Sequence, residues 1–99
     1  MDRVEVERRF AALLEDERAA IRRLDSVAVE HLNDQKLALA EALRAVSVAG
    51  DAESVACLKR VSALLRRNAI LLAHAREATS GAIEVLRSAA NGPRTSWTG

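Results

Sequence analysis

Residues 55–86 read VACLKRVSALLRRNAILLAHAREATSGAIEVL, with no proline and with Gly81 as the sole glycine. Within this stretch Val61, Leu65, Asn68, Leu72, Ala75, Thr79, Ala82 and Leu86 recur at steps of three and four. That spacing sets them on one face of an α-helix. A second row, Val55, Leu58, Leu64, Leu71, Ala78 and Val85, widens the apolar stripe. At about 1.5 Å per residue the helix spans roughly 48 Å. It is too long for the interior of a small globule and must lie along something of similar length. The first half of the chain has to supply that support.

The composition agrees with an elongated all-α protein. Of the 99 residues, 49% are hydrophobic, but there is one Phe, one Trp and no Tyr, so the core is built from Leu, Ile, Val and Ala. No run of alternating β-branched residues bounded by turn residues suggests a strand. Length suits one domain. The net charge of +1 gives no bulk basicity for nucleic acid. Charge is nonetheless segregated: residues 26–54 hold five acids and two bases, net −3, whereas residues 55–89 hold six bases and two acids, net +4. This predicts that the second segment packs against the third, with charges flanking a shared seam.

Outward from the long helix, residues 1–24 read as helix with Val4, Phe10, Leu13, Leu14, Ile21 and Leu24 on the apolar face. Asp25 and Ser26 could cap a new helix. With no Gly or Pro there, and no capping box, the favoured reading is one continuous first arm running on through Ala28, Leu32, Leu39, Leu43 and Val46. Ser47 to Glu53 is the turn. Gly50 suits the left-handed position that ends a helix, and Asp51 suits the next N-cap. The fold expected is a long antiparallel helical hairpin, or a three-helix bundle if the first arm breaks near Asp25. Asn91, Gly92 and Pro93 should end the last helix, leaving residues 1–90 as one helical domain and 91–99 as a flexible tail.

Sites for chemistry are not evident. His31 and His74 have no partner at metal-ligand spacing, and Cys57 reads as a small hydrophobe in the apolar row. Glu15, Asp16 and Glu17 point in different directions on a helix, which suggests a solvated face. The lone cysteine fits a reducing cytoplasm. The N-terminus lacks an apolar signal region, and the apolar run Ala69–Ala73 is far too short to cross a bilayer. Lys59–Arg60 and Arg66–Arg67 lack interleaved aromatics for base stacking and read as ion-pairing residues. An enzyme, a bound cofactor or metal, nucleic-acid binding and membrane insertion are therefore not expected. Asn68, between Leu65 and Leu72, is the informative polar residue, because a buried Asn can fix helix register.

Three stretches together resemble the FlgN family of flagellar export chaperones. They are FAALLEDERAAIRRLD (10–25), VAVEHLNDQKLALAEAL (27–43) with Lys36 at the lysine position, and LLRRNAILLAHAREATSGAIEVL (64–86) with Asn68 at the asparagine. Thr95, Ser96, Trp97 and Gly99 are a loose version of the family's Ser/Thr-aromatic tail, with Trp for the usual Tyr and a shortened spacing. The resemblance implies a cytoplasmic chaperone without ATPase activity. Its clients would be hook-associated proteins of the hook–filament junction, kept unpolymerised and passed to the type III export machinery, a component of which is a further partner. The family binds its client mainly through the C-terminal part.

The residues themselves allow that role. A hairpin leaves part of its stripe uncovered, so a client or a second copy should cover it. The expected partner site is Leu64, Arg67, Asn68, Leu71, Leu72, Ile83 and Leu86, with Arg66, Arg67 and Arg76 steering an acidic segment. The competing reading is a structural hairpin that self-associates as a coiled coil.

Overall fold

In the computed structural model the backbone is described for residues 1–98 and the side chains for residues 1–90. The chain is 89% helical, with α1 at Arg3–Arg22, α2 at Ser26–Val46 and α3 at Ala52–Thr98. No strand occurs among the described residues. The all-α expectation holds, in its three-helix form.

The first arm breaks, contrary to the continuous helix favoured above. The local bonding explains why. Leu24 N–H bonds to Ile21 O at 3.0 Å and Asp25 N–H bonds to Ala20 O at 3.0 Å, the paired bonds of a Schellman stop. Its left-handed position is held by Leu24, at φ 57°, where Gly or Asn is usual. Asp25 then caps α2 by accepting from Ala28 N–H at 3.0 Å. The second turn matches its expectation: Gly50 has φ 81°, and Asp51 accepts from Ser54 N–H at 2.9 Å. The Ser54 hydroxyl in turn accepts from Val48 N–H at 3.1 Å, so this turn is closed from both sides.

The helix order is up, down, up. Arg3 pairs with Glu53, Glu7 with Arg60, and Leu14 O with Asn68, so α1 and α3 run parallel with a near-constant offset. Both α2 and α3 pack on α1, while among the described residues α2 and α3 make no close backbone approach to each other. This corrects the seam expected between the acidic second segment and the basic third. α1 lies between them because it carries the residues that each of them needs. Val6, Phe10 and Leu14 of α1 meet Leu43 of α2 and Cys57 and Val61 of α3 in one buried cluster. Glu7 and Glu17 of α1 take the polar contacts. The first-helix face is also corrected: Val6 is fully buried, while Val4 and Leu24 are exposed.

α3 has 47 residues, about 70 Å at 1.5 Å per residue, and the molecule is 68 Å in its longest extent. α1 and α2 each supply about 30 Å of cover. α3 also runs past Asn91, Gly92 and Pro93, where it was expected to stop, and ends at Thr98. Pro93 removes one donor from the helix without ending it. The side chains of the expected tail lie outside the described residues.

Candidate docking site

The buried face of α3 is Ser54, Cys57, Val61 and Asn68, with Leu64, Leu65, Leu71, Leu72 and Ala75 half-buried. These positions follow the three-and-four spacing that faces a single neighbouring helix. By the offset of the paired residues, α1 ends level with Ala75. From Arg76 to Ala90 every side chain of α3 is exposed. The apolar spacing does not stop there. Val85 and Leu86 are 68% and 70% exposed, and Ile83 is 49% exposed.

Where α3 leaves the body, a cleft of about 550 Å³ opens between the three helices. Ile21 of α1 and Leu24 of the turn that follows it line one side. Val29 lines it from α2, and Leu72, Ala75 and Thr79 line it from α3. The Schellman stop at Leu24 creates this cleft, because it turns α2 away just below the point where α3 continues. Arg76 and Glu30 stand at its rim.

Above the cleft lies a buried polar node. Glu17 is 3% exposed. Its Oε2 accepts from Lys36 Nζ at 2.7 Å, and its Oε1 accepts from Asn68 Nδ2 at 2.9 Å. Asn68 Nδ2 also donates to Leu14 O at 2.8 Å. One carboxylate therefore ties all three helices. The two residues quoted for the family resemblance, Lys36 and Asn68, meet on it.

The expected partner site is thus divided. Asn68 is 5% exposed, and its Nδ2 donates twice within the molecule, so it serves as a contact between α3 and α1. Leu64, Leu71 and Leu72 are half-buried against the body, Leu72 in the cleft. Arg67, Ile83 and Leu86 are exposed. Arg67 lies near Arg18, whose Nε and Nη1 are buried without a hydrogen-bond partner among the described residues. Burial, then the charges of Arg67 and Arg22, pull the Arg18 guanidinium below its ordinary pKa. Ile21, Val29 and Thr79 complete the cleft; the sequence placed Ile21 and Thr79 on apolar faces but assigned none of the three to a site, because only the break at Leu24 brings them together.

Cys57 is buried. Burial, together with the neighbouring Glu7 carboxylate, pushes its thiol upward, so it is a poor nucleophile. Among the described residues no group of three or more His, Cys, Asp or Glu side chains could hold a metal. No helix among them is long and apolar enough to cross a membrane. No family model, curated protein or solved structure matches the chain.

Proposed function

We propose that this chain is a FlgN-like export chaperone that binds an amphipathic segment of a hook–filament junction protein and keeps it unpolymerised before type III export. The observation that carries the reading is the bare apolar stripe of α3 beyond Arg76, rooted in the open cleft at Leu24. A client helix laid along α3 would cover Ile83 and Leu86 and seat one apolar side chain in the cleft, the helix-in-groove mode of peptide recognition. The resemblance carried by residues 10–25, 27–43 and 64–86 supplies the client class. The reaction is binding alone. Release would follow from competition by the export machinery in the cytoplasm.

The bare stripe fits equally a structural helical module that only pairs with itself. Calorimetric titration with the terminal segments of junction proteins separates the two. The chaperone reading expects saturable binding that weakens at least tenfold, about 1.4 kcal/mol, in Ile83→Asp and Leu86→Asp. Both side chains are about half exposed or more, so both variants should keep the helical circular dichroism of the parent. Absence of binding by the parent chain, or unchanged affinity in both variants, would overturn the chaperone reading.

A further inference from the structure

The second and third segments carry opposite charge, net −3 over residues 26–54 and net +4 over residues 55–89. Within one chain they do not pair, because each packs on α1 instead. Their outer faces leave that complementarity unused. On α2, Asp34, Leu37 and Glu41 share one exposed face at steps of three and four. It looks away from Leu32, Lys36, Leu39 and Leu43, which the body covers. On α3, a shallow depression of about 380 Å³ is lined by Val55, Leu58, Lys59, Ser62, Ala63 and Arg66. It lies away from Cys57, Val61 and Asn68, the buried side of the same helix. Among the described residues Asp34, Lys59 and Arg66 make no ion pair, and Glu41 meets only the exposed Arg44.

The two faces match in shape and in register. Lys59, Ser62, Ala63 and Arg66 stand at i, i+3, i+4 and i+7, the four corners of a hole that receives one side chain from a facing helix. Ser62 and Ala63 are small and leave room for a leucine. Leu37 is 61% exposed. Its flanking acids, Asp34 and Glu41, are as far apart in sequence as the two bases of the hole. Within the chain Leu43 lies level with Cys57 and Val61, Lys36 with Asn68, and Val29 with Leu72. The three helices make a triangle in section, so the outer faces of α2 and α3 open on the same side. A two-fold axis on that side, parallel to the helices, preserves every level. It sets α2 of one copy antiparallel on α3 of the other. Leu37 then enters the hole over Ser62 and Ala63, with Asp34 opposite Arg66 and Glu41 opposite Lys59.

We infer that a second copy of this chain docks its α2 on the Val55–Arg66 face of α3, forming a two-fold dimer. The symmetry makes the α2–α3 seam twice. Each seam runs along the 21 residues of α2, about 30 Å. Val27, Leu37, Val55, Leu58 and Ile70 are 40–75% exposed in the single chain, and covering them supplies the attraction. Exposed ion pairs add little affinity singly. Here the two pairs in each seam select the partner face and fix its register. The stripe of α3 beyond Arg76 stays bare in both copies, because neither seam reaches it. Dimer formation is therefore separate from client binding.

The test uses the purified chain with no client present, so its outcome is independent of the titration above. Sedimentation equilibrium should show a dimer at about 100 µM, well above a micromolar dissociation constant. Two double variants reverse the charges, Asp34→Lys with Glu41→Lys on α2, and Lys59→Glu with Arg66→Glu on α3. Each sets like charges against each other in both seams and should weaken the dimer at least tenfold. All four side chains are exposed, so both variants should keep the helical circular dichroism of the parent. An equimolar mixture of the two again opposes unlike charges in both seams and should recover a dimer containing one of each. Leu37→Ala should also weaken the parent dimer at least tenfold by emptying the hole. A monomeric parent, a dimer that persists in either reversed variant, or a mixture that stays monomeric would overturn the inference. Parent assemblies larger than a dimer would overturn the two-fold arrangement.

Discussion

Replacing Lys36 by Met should destabilise the protein more than the loss of an ordinary surface ion pair. Lys36 Nζ lies 2.7 Å from Glu17 Oε2; the Lys36 side chain is 26% exposed and that of Glu17 only 4%. Removing the cation leaves Glu17 buried with Asn68 as its one remaining side-chain partner. Breaking a buried pair from one side costs about 3–5 kcal/mol in fully desolvated cases. Partial exposure of Lys36 reduces this, and about 2 kcal/mol is the working figure. For a chain of this size that lowers the melting temperature by about 10 °C. The contrasting variant replaces the whole node: Glu17→Leu, Lys36→Met and Asn68→Leu together leave no unpaired charge and should be near neutral or stabilising. Urea unfolding followed by helical circular dichroism measures both. A loss under about 0.5 kcal/mol for Lys36→Met, the level of exposed pairs, would refute the buried-node argument. So would a triple variant no more stable than the single one.

Leu24→Gly relieves the left-handed strain at φ 57° and should raise stability by up to about 1 kcal/mol, read from the urea midpoint. The Arg60 guanidinium beside Glu7 holds its carboxyl down at about 2, against an ordinary 4.5. A lowered carboxylate pKa stabilises the fold above the unfolded value, and that contribution is lost as pH falls from about 4.5 to 2. Arg60 is more than half exposed, so Glu7→Gln should cost about 1 kcal/mol or less at neutral pH, and its deficit against the parent should vanish toward pH 2. A deficit that stays constant across that window would contradict this. Cys57 should resist alkylation in the native protein and react only on unfolding; rapid native labelling would show that the core around Phe10 is open.

How far the sequence was legible follows from where each signal lies. The three-and-four spacing on residues 55–86 is a property of one helix and could be read directly, as could the glycine and aspartate at the second turn. The break at Leu24 could not, because its left-handed position carries none of the residues that mark one. The packing order was misread for a related reason. Charge summed over segments sets the acidic second against the basic third, but ion pairs form between particular residues, and those facing α3 sit on α1. Glu17 was legible in part. It shares the spacing of Phe10, Leu14 and Ile21, yet its place in an acidic run argued for solvent. Asn68 lies on the buried stripe as its spacing with Leu65 and Leu72 indicated. Its inclusion in the partner site was lost once Glu17 proved to be its neighbour. Ile83 and Leu86 stay in the candidate site because nothing in the body reaches that far along α3.

Hydrogen exchange along α3 tests most directly that its far half is a surface for another chain. At a dilution where the chain is monomeric, amides of 57–72 should be well protected and those of 78–90 should exchange orders of magnitude faster, since a helix without tertiary cover is marginal. Adding a junction-protein segment should slow exchange across 72–90 and leave α2 beyond Glu30 unchanged. Equal protection along the whole of α3 at dilution, or slowing confined to α2 when a partner is added, would contradict the account.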